Sequence, residues 1–149
     1  MKKLLLLLLF PTTLCAQEEE PPKQYNHSIY GEFLGNGGGF SINYERIFHL
    51  NEKWQLIPRA GISYVPVFDG FAAIPFELTV VNKKLEFGIG ATPSGAWGWE
   101  TLKYIRIGYR SVDKSGLLFR IAFTPWFEKD GYGGILIRPS GGISVGKSF

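Results

Sequence analysis

The sequence predicts an all-β protein, an eight-stranded antiparallel up-and-down barrel over residues 28–149. Apolar and polar residues alternate in short segments, turn-forming residues separate these segments, and no segment keeps a 3.6-residue period. Near residue 120, for example, Phe119, Ile121 and Phe123 alternate with Arg120 and Ala122. Successive side chains of a strand point to opposite faces, so the alternation predicts a sheet with one apolar and one charged face.

We predict strands at residues 28–35, 40–48, 54–65, 73–81, 85–92, 104–112, 117–124 and 135–149. The clearest turn is Asn-Gly-Gly-Gly at residues 36–39, because these residues tolerate positive φ. Strands three, five and seven repeat one alternating pattern when they are aligned on the prolines that follow them, Pro66, Pro93 and Pro125. Such a repeat is expected of stacked hairpins.

Three more prolines fall inside predicted strands: Pro58, Pro75 and Pro139. Proline cannot donate an amide hydrogen bond to a neighbouring strand, and a closed barrel has no free edge to hold it. We therefore expect a bulge or a strand end at each of these positions.

Residues 1–16 have the pattern of a secretory signal peptide, in which Lys2 and Lys3 precede an apolar run at residues 4–10. The run is too short to cross a bilayer as a helix. Cleavage after Ala16 would remove Cys15, the only cysteine, and would leave no disulfide to form. Lipid attachment at Cys15 is the alternative, although Leu14 stands where such sites carry a small residue. We expect residues 17–27, rich in Pro, Glu and Gln at their start, to be a disordered periplasmic lead-in.

The charge balance argues against a nucleic-acid partner. Removing Lys2 and Lys3 from the 16 basic residues leaves 14 against 13 acidic residues. A nucleic-acid surface would need a basic excess.

The type of charge within the strands predicts which face is enclosed. Arginine and glutamate occupy the polar face in near balance, whereas most lysines fall in turns. Arginine binds carboxylates with two hydrogen bonds and stays charged when buried, so this composition favours an ionic network inside the barrel and a transmembrane barrel with its apolar face toward lipid. The predicted lumen network comprises Glu32, Glu45, Arg59, Glu77, Glu86, Arg106, Arg110, Arg120 and Arg138.

Aromatic residues collect near the ends of the predicted strands, as the two interfaces of a bilayer require. The predicted membrane-interface aromatics are Phe48, Trp54, Trp97, Trp99, Tyr104, Tyr109, Trp126 and Phe149. If the first strand starts in the periplasm, the short connections at residues 50–53, 82–84 and 113–116 are periplasmic. The longer connections at residues 94–103 and 128–134 then face outward.

The run GGISVGKSF at residues 141–149 alternates apolar positions and ends on phenylalanine. It resembles the C-terminal insertion signal of bacterial outer-membrane barrels, except that Lys147 occupies a position that is usually apolar. Residues 28–149 resemble the small eight-stranded barrels of the OmpA transmembrane-domain and OmpX kind. The resemblance implies an integral outer-membrane protein of a Gram-negative bacterium, exported through the inner membrane. Its implied partners are outer-membrane lipids and, through the C-terminal strand, the assembly machinery.

The expected function is non-enzymatic, a contribution to envelope integrity or surface interaction with a lumen plugged by side chains. Two alternatives stay open: a periplasmic soluble lipocalin-like barrel that carries an apolar ligand, and an outer-membrane enzyme that modifies lipid A. We expect no catalytic residues, cofactor or metal, because His27 and His49 are separated and map to the periplasmic end. Residues 95–100 are a candidate surface for an unspecified ligand.

Overall fold

A computed structural model of the chain describes residues 24–65, 71–93, 101–129 and 133–149. Its strands are β1 (His27–Leu34), β2 (Phe40–Arg46), β3 (Phe48–His49), β4 (Trp54–Val65), β5 (Phe71–Ala73), β6 (Phe76–Asn82), β7 (Leu85–Pro93), β8 (Thr101–Val112), β9 (Leu117–Phe123), β10 (Trp126–Lys129), β11 (Ile135–Arg138) and β12 (Gly141–Ser148). One 3₁₀ turn, η1 (Gly35–Gly37), follows β1. Within the described ranges, no helix is long and apolar enough to cross a membrane.

Eight of these strands close an antiparallel barrel in the order β1, β2, β4, β6, β7, β8, β9, β12. The ring closes because β1 pairs with β12 and β8 pairs with β9. The short strands β3 and β5 pair with β4, and β10 and β11 form a hairpin that pairs with β8. The prediction of an all-β, eight-stranded antiparallel barrel is confirmed.

The predicted interruptions are found at two of the three internal prolines. Pro75 separates β5 from β6, and Pro139 separates β11 from β12. At Pro58 the prediction was wrong, since β4 runs unbroken through this residue. The break lies on the facing strand instead, between Arg46 and Phe48, because the amide that Pro58 lacks would have pointed toward that strand.

The barrel has two distinct ends. The turn end holds the short connections β3–β4, β6–β7 and β8–β9, with residues 24–26 and Phe149 beside them. The loop end holds η1 and the β10–β11 hairpin. Part of the predicted lead-in is ordered at the turn end: Asn26 accepts a hydrogen bond from the amide of Ile47, and Tyr25 Oη donates to the carbonyl of Lys114. The predictions for residues 1–23 lie outside the described residues.

The two faces of the barrel wall differ sharply in polarity. Large apolar side chains point outward and are exposed: Ile62 is 70% exposed and Ile89 is 65% exposed. Charged side chains point inward: Arg106 is 1% exposed and Arg120 is 0% exposed. The molecule therefore has a polar interior and an apolar surface, the reverse of most proteins in water.

Candidate functional site

Eight charged side chains meet inside the barrel, one or two from each of seven strands. This set, the lumen network from here on, comprises Glu32, Glu45, Arg59, Glu77, Glu86, Arg106, Arg110 and Arg120. Four carboxylates face four guanidinium groups, so the formal charges of the set cancel. Each member is at most 5% exposed, so solvent screens none of these charges effectively.

The ion pairs form one connected cluster rather than four separate pairs. Arg59 Nη1 lies 2.9 Å from Glu77 Oε1, and Arg106 Nε lies 2.9 Å from the other oxygen, Oε2. Glu77 therefore bridges two strands on opposite sides of its own. Glu86 is within 4 Å of Arg59, Arg106 and Arg120.

A second group of contacts completes the cluster. Arg120 Nη2 donates to Glu45 Oε2 at 2.9 Å, and Arg110 Nη1 lies 2.5 Å from Glu45 Oε1. Arg106 Nη2 donates to Glu32 Oε1 at 2.8 Å. Because each carboxylate has at least two cationic neighbours, loss of one arginine would leave its partners short of positive charge.

Tyr30 lies within the cluster and was missed by the prediction. Its ring is 1% exposed and contacts two guanidinium groups, with Arg120 Cζ 4.3 Å and Arg59 Cζ 5.9 Å from the ring centroid. The negative face of the ring attracts these cations, and the attraction is stronger at a buried site than at an exposed one. Tyr30 has the same strand parity as Glu32, which is the sequence signal that could have located it.

Neutral donors add hydrogen bonds to two of the carboxylates, Glu32 and Glu77. Thr79 Oγ1 donates to Glu77 Oε1 at 2.6 Å, and Ser144 Oγ donates to Glu32 Oε2 at 2.9 Å. The backbone amide of Asn36, in η1, donates to Glu32 Oε1 at 2.9 Å. Glu32 thus couples the lumen network to the turn that covers the loop end.

Inward-facing glycines make room for the large polar side chains. A Cβ at Gly90 would collide with the ring of Tyr104, and one at Gly146 would collide with Tyr30. A Cβ at Gly108 would lie 3.0 Å from Glu86 Oε1 and 2.8 Å from the methyl group of Ala122. These positions are filled by neighbouring side chains, so the barrel interior is packed rather than open.

At the loop end, η1 folds over the lumen. Asn36 is 1% exposed, and its carbonyl accepts a 2.8 Å hydrogen bond from Thr92 Oγ1. The ring of Trp126 packs against Gly38, so close that a Cβ there would collide with it. The left-handed φ of 69° at Gly38 also suits glycine.

Two predicted interface aromatics lie on the inner face of the sheet instead of the outer face. Tyr104 is 2% exposed, and its hydroxyl donates to the carbonyl of Phe76 at 3.2 Å. Trp126 pairs with Tyr104 across β8 and β10, so both rings lie on the same, inner face. The prediction was wrong for both, because it considered their position near a strand end and not their parity with Arg106.

Four other predicted interface aromatics are exposed at the turn end: Phe48, Trp54, Tyr109 and Phe149. Trp97 and Trp99 lie outside the described residues, as does most of the candidate ligand surface at residues 95–100. Both histidines lie at the turn end. His27 Nδ1 is 2.6 Å from Tyr44 Oη, and His49 Nε2 is 3.1 Å from the carbonyl of Tyr25.

Arg138 does not belong to the lumen network, which corrects the predicted set. It lies on β11, in the hairpin beyond the closed part of the barrel, and its side chain is 60% exposed. Arg138 Nε donates to Glu128 Oε2 at 2.7 Å. Strand parity places Arg138 on the inner face. Parity does not reveal that β11 extends beyond the eight strands that close the barrel.

Below the lumen network, the turn end of the interior is apolar. Ile47, Ile57 and Val81 form a buried cluster there, and Leu118 is also fully buried. Tyr25 crosses this end, held at its carbonyl by His49 and at its hydroxyl by Lys114. The network is therefore covered at both ends by ordered parts of the chain.

The arrangement is that of a buried polar core whose formal charges balance. Neighbouring side chains occupy the space beside the inward-facing glycines. Ordered parts of the chain cover the network at both ends. Together these features hold the wall in shape. Among the described residues, no three His, Cys, Asp or Glu side chains are placed to hold a metal ion. Comparison of the chain with protein-family models, with curated proteins and with solved structures found no match.

Proposed function

We propose that the chain is an integral outer-membrane barrel whose apolar outer wall contacts lipid and whose lumen network is its structural core. The observation that carries the proposal is the reversed polarity of the wall, with Ile62 and Ile89 exposed while Arg106 and Arg120 are buried. Monomeric soluble proteins rarely expose a contiguous apolar patch above a few hundred Å². Hydrocarbon is the solvent that suits such a wall, because every barrel strand finds its hydrogen-bond partners in the closed sheet.

The signal-like residues 1–16 and the short connections at the turn end support an orientation with that end in the periplasm. The barrel is then similar to the OmpA transmembrane-domain and OmpX kind. The packed lumen argues against a pore, and the proposed role is non-enzymatic, in envelope integrity or in surface interaction through the loop end.

Cell fractionation and gel migration test the proposal. The protein should be recovered with the outer membrane, and an unheated sample should migrate differently from a boiled one, because a closed barrel resists detergent until it is heated. Recovery of the protein in the osmotic-shock fraction, with identical migration before and after boiling, would overturn it.

The packed ionic interior also favours an integral membrane barrel over a soluble carrier of an apolar ligand. A lipocalin-like carrier needs an apolar cavity for its ligand, whereas the middle of this lumen is filled by four arginines and four glutamates. For the lipid A enzyme, the discriminating measurement is the mass spectrum of lipid A from cells that overproduce the protein. An unchanged spectrum is expected.

A further inference from the structure

Exposed cations surround the turn end of the barrel. This set, the cationic rim, comprises Arg46, Lys53, Lys83, Lys84, Lys114 and Lys147. The acidic side chains described at the same end are Glu52 and Asp113. The rim therefore carries an excess of positive charge that the described part of the chain does not neutralise.

Backbone contacts place these cations around the circumference. The amide of Lys83 donates to the carbonyl of Lys53 at 3.2 Å, which puts the β3–β4 and β6–β7 connections side by side. The carbonyl of Lys84, in the same β6–β7 turn, accepts a hydrogen bond from the amide of Arg110 on β8 at 2.8 Å. Lys147 Nζ donates to the carbonyl of Ser115, in the β8–β9 turn, at 2.6 Å.

The rim lies where the apolar wall ends. Arg46 Cζ is 5.1 Å from the centroid of the Phe48 ring, and Lys84 Nζ is 5.8 Å from that of Tyr109. Both rings are exposed on the outer face. Aromatic rings settle at the boundary between acyl chains and head groups, and basic side chains reach past them to the head groups.

The loop end shows no comparable excess among its described residues. Lys103 and Lys129 are exposed there, whereas Arg138 is paired with Glu128. A difference in positive charge thus runs along the barrel axis, and it favours anionic lipid at one end.

We propose that the cationic rim binds the phosphate groups of anionic phospholipids in the leaflet at the turn end. The inference rests on the proposed membrane location. Clustered basic side chains at a membrane surface are attracted to anionic lipids, and the attraction decays within a Debye length. Lysine binds phosphate as a point charge, and the guanidinium of Arg46 can do so with two hydrogen bonds.

The chain's own residues Glu18, Glu19 and Glu20 are the competing occupant, because they precede the turn end in sequence. Lipid is favoured because the side chains of Arg46 and Lys84 lie over aromatic rings on the outer face of the wall. Tyr25, by contrast, crosses the lumen opening, so the chain before β1 lies across the lumen and not along the outer face. The wall-facing cations are therefore placed toward lipid.

The test compares two double variants that remove the same charge from opposite ends. Lys83→Gln/Lys84→Gln changes the rim, and Lys103→Gln/Lys129→Gln is the matched control. Each full-length protein is refolded into phosphatidylcholine vesicles with and without phosphatidylglycerol, and the midpoint of heat-induced unfolding is read from gel migration. Phosphatidylglycerol should raise the midpoint of the parent and of the control, and the rim variant should lose most of that rise. High salt should reduce the rise in the parent.

An equal rise in both double variants, or none in the parent, would overturn the inference while leaving the membrane barrel intact. Failure of the parent to insert into either vesicle would overturn the proposed function itself. If the rim variant does not fold, Lys114→Gln/Lys147→Gln provides a second rim pair. A rise that appears only after Glu18, Glu19 and Glu20 are changed to Gln would also contradict the inference, since the acidic segment would then occupy the rim.

Discussion

The guanidinium carbon of Arg120 lies 4.3 Å from the centroid of the Tyr30 ring, while its nitrogens contact Glu45 and Glu86. One side chain thus combines a cation–π contact with ion pairs to two other strands. Contacts of this kind hold the wall in shape only while every partner is present.

Two replacements of Tyr30 distinguish the contribution of its ring to stability from that of its hydroxyl. Tyr30→Leu should destabilise the barrel by about 2 kcal/mol, because it removes a desolvated cation–π contact. Tyr30→Phe is the matched control: it keeps the ring and removes a buried hydroxyl that has no hydrogen-bond partner in the described structure. Its stability in urea titrations should equal that of the parent or exceed it. A Phe variant as unstable as the Leu variant would contradict the role assigned to the ring.

Removal of one arginine from the lumen network should be costly. Arg120→Met leaves Glu45 and Glu86 short of positive charge in a buried site, which should destabilise the fold by roughly 3–5 kcal/mol. Arg138→Met is the control, since its exposed pair with Glu128 contributes at most about 1 kcal/mol. Urea midpoints in one detergent measure both values. Equal losses in the two variants would show that the network is not a structural core.

The inward-facing glycines predict that larger side chains cannot be accommodated at these positions on the inner face of the wall. Gly90→Ala should destabilise the barrel by about 1–3 kcal/mol, because the added methyl group collides with the ring of Tyr104. Gly141→Ala is the control, since its Cβ would meet only the carbonyl of Ala122 at 3.4 Å. Heat-induced changes in gel migration compare the two. If Gly90→Ala unfolds at the parental temperature, the interior is not packed as described.

We expect the stability of the fold to depend on pH through Asp113, in the exposed β8–β9 turn. Hydrogen bonds from the Ser115 hydroxyl at 2.7 Å and from the Leu117 amide at 2.8 Å lower the pKa of its carboxyl group. The unfolded chain therefore binds the proton more readily. The carboxylate stabilises the fold above the unfolded pKa of about 3.9, and this contribution is lost as the pH falls through the lower folded value.

Asp113→Asn should accordingly be less stable than the parent at neutral pH, and the gap should close in acid. Urea midpoints measured from neutral pH down to about pH 3 trace the effect. Ser115→Ala should show part of the same loss, because it removes one of the two donors. A gap that is constant across this range would rule out the carboxylate as its source.

Much of the barrel could be predicted from local sequence, because alternation and turn residues act over a few positions. The predicted third strand matches the bounds of β4, and the break at Pro75 follows from its missing amide. The break opposite Pro58 could not be located in this way, since it depends on which neighbour the missing amide would have faced.

By itself, the sequence determined the alternation that assigns apolar and charged residues to opposite faces, because side-chain direction along a strand is a local property. Only the tertiary structure decided which inner residues meet: Arg106 with Glu32 across the lumen, Tyr30 against Arg120, and Arg138 outside the closed region. These contacts depend on how the sheet closes and where its closed part ends, and both are set by pairing between strands far apart in the chain.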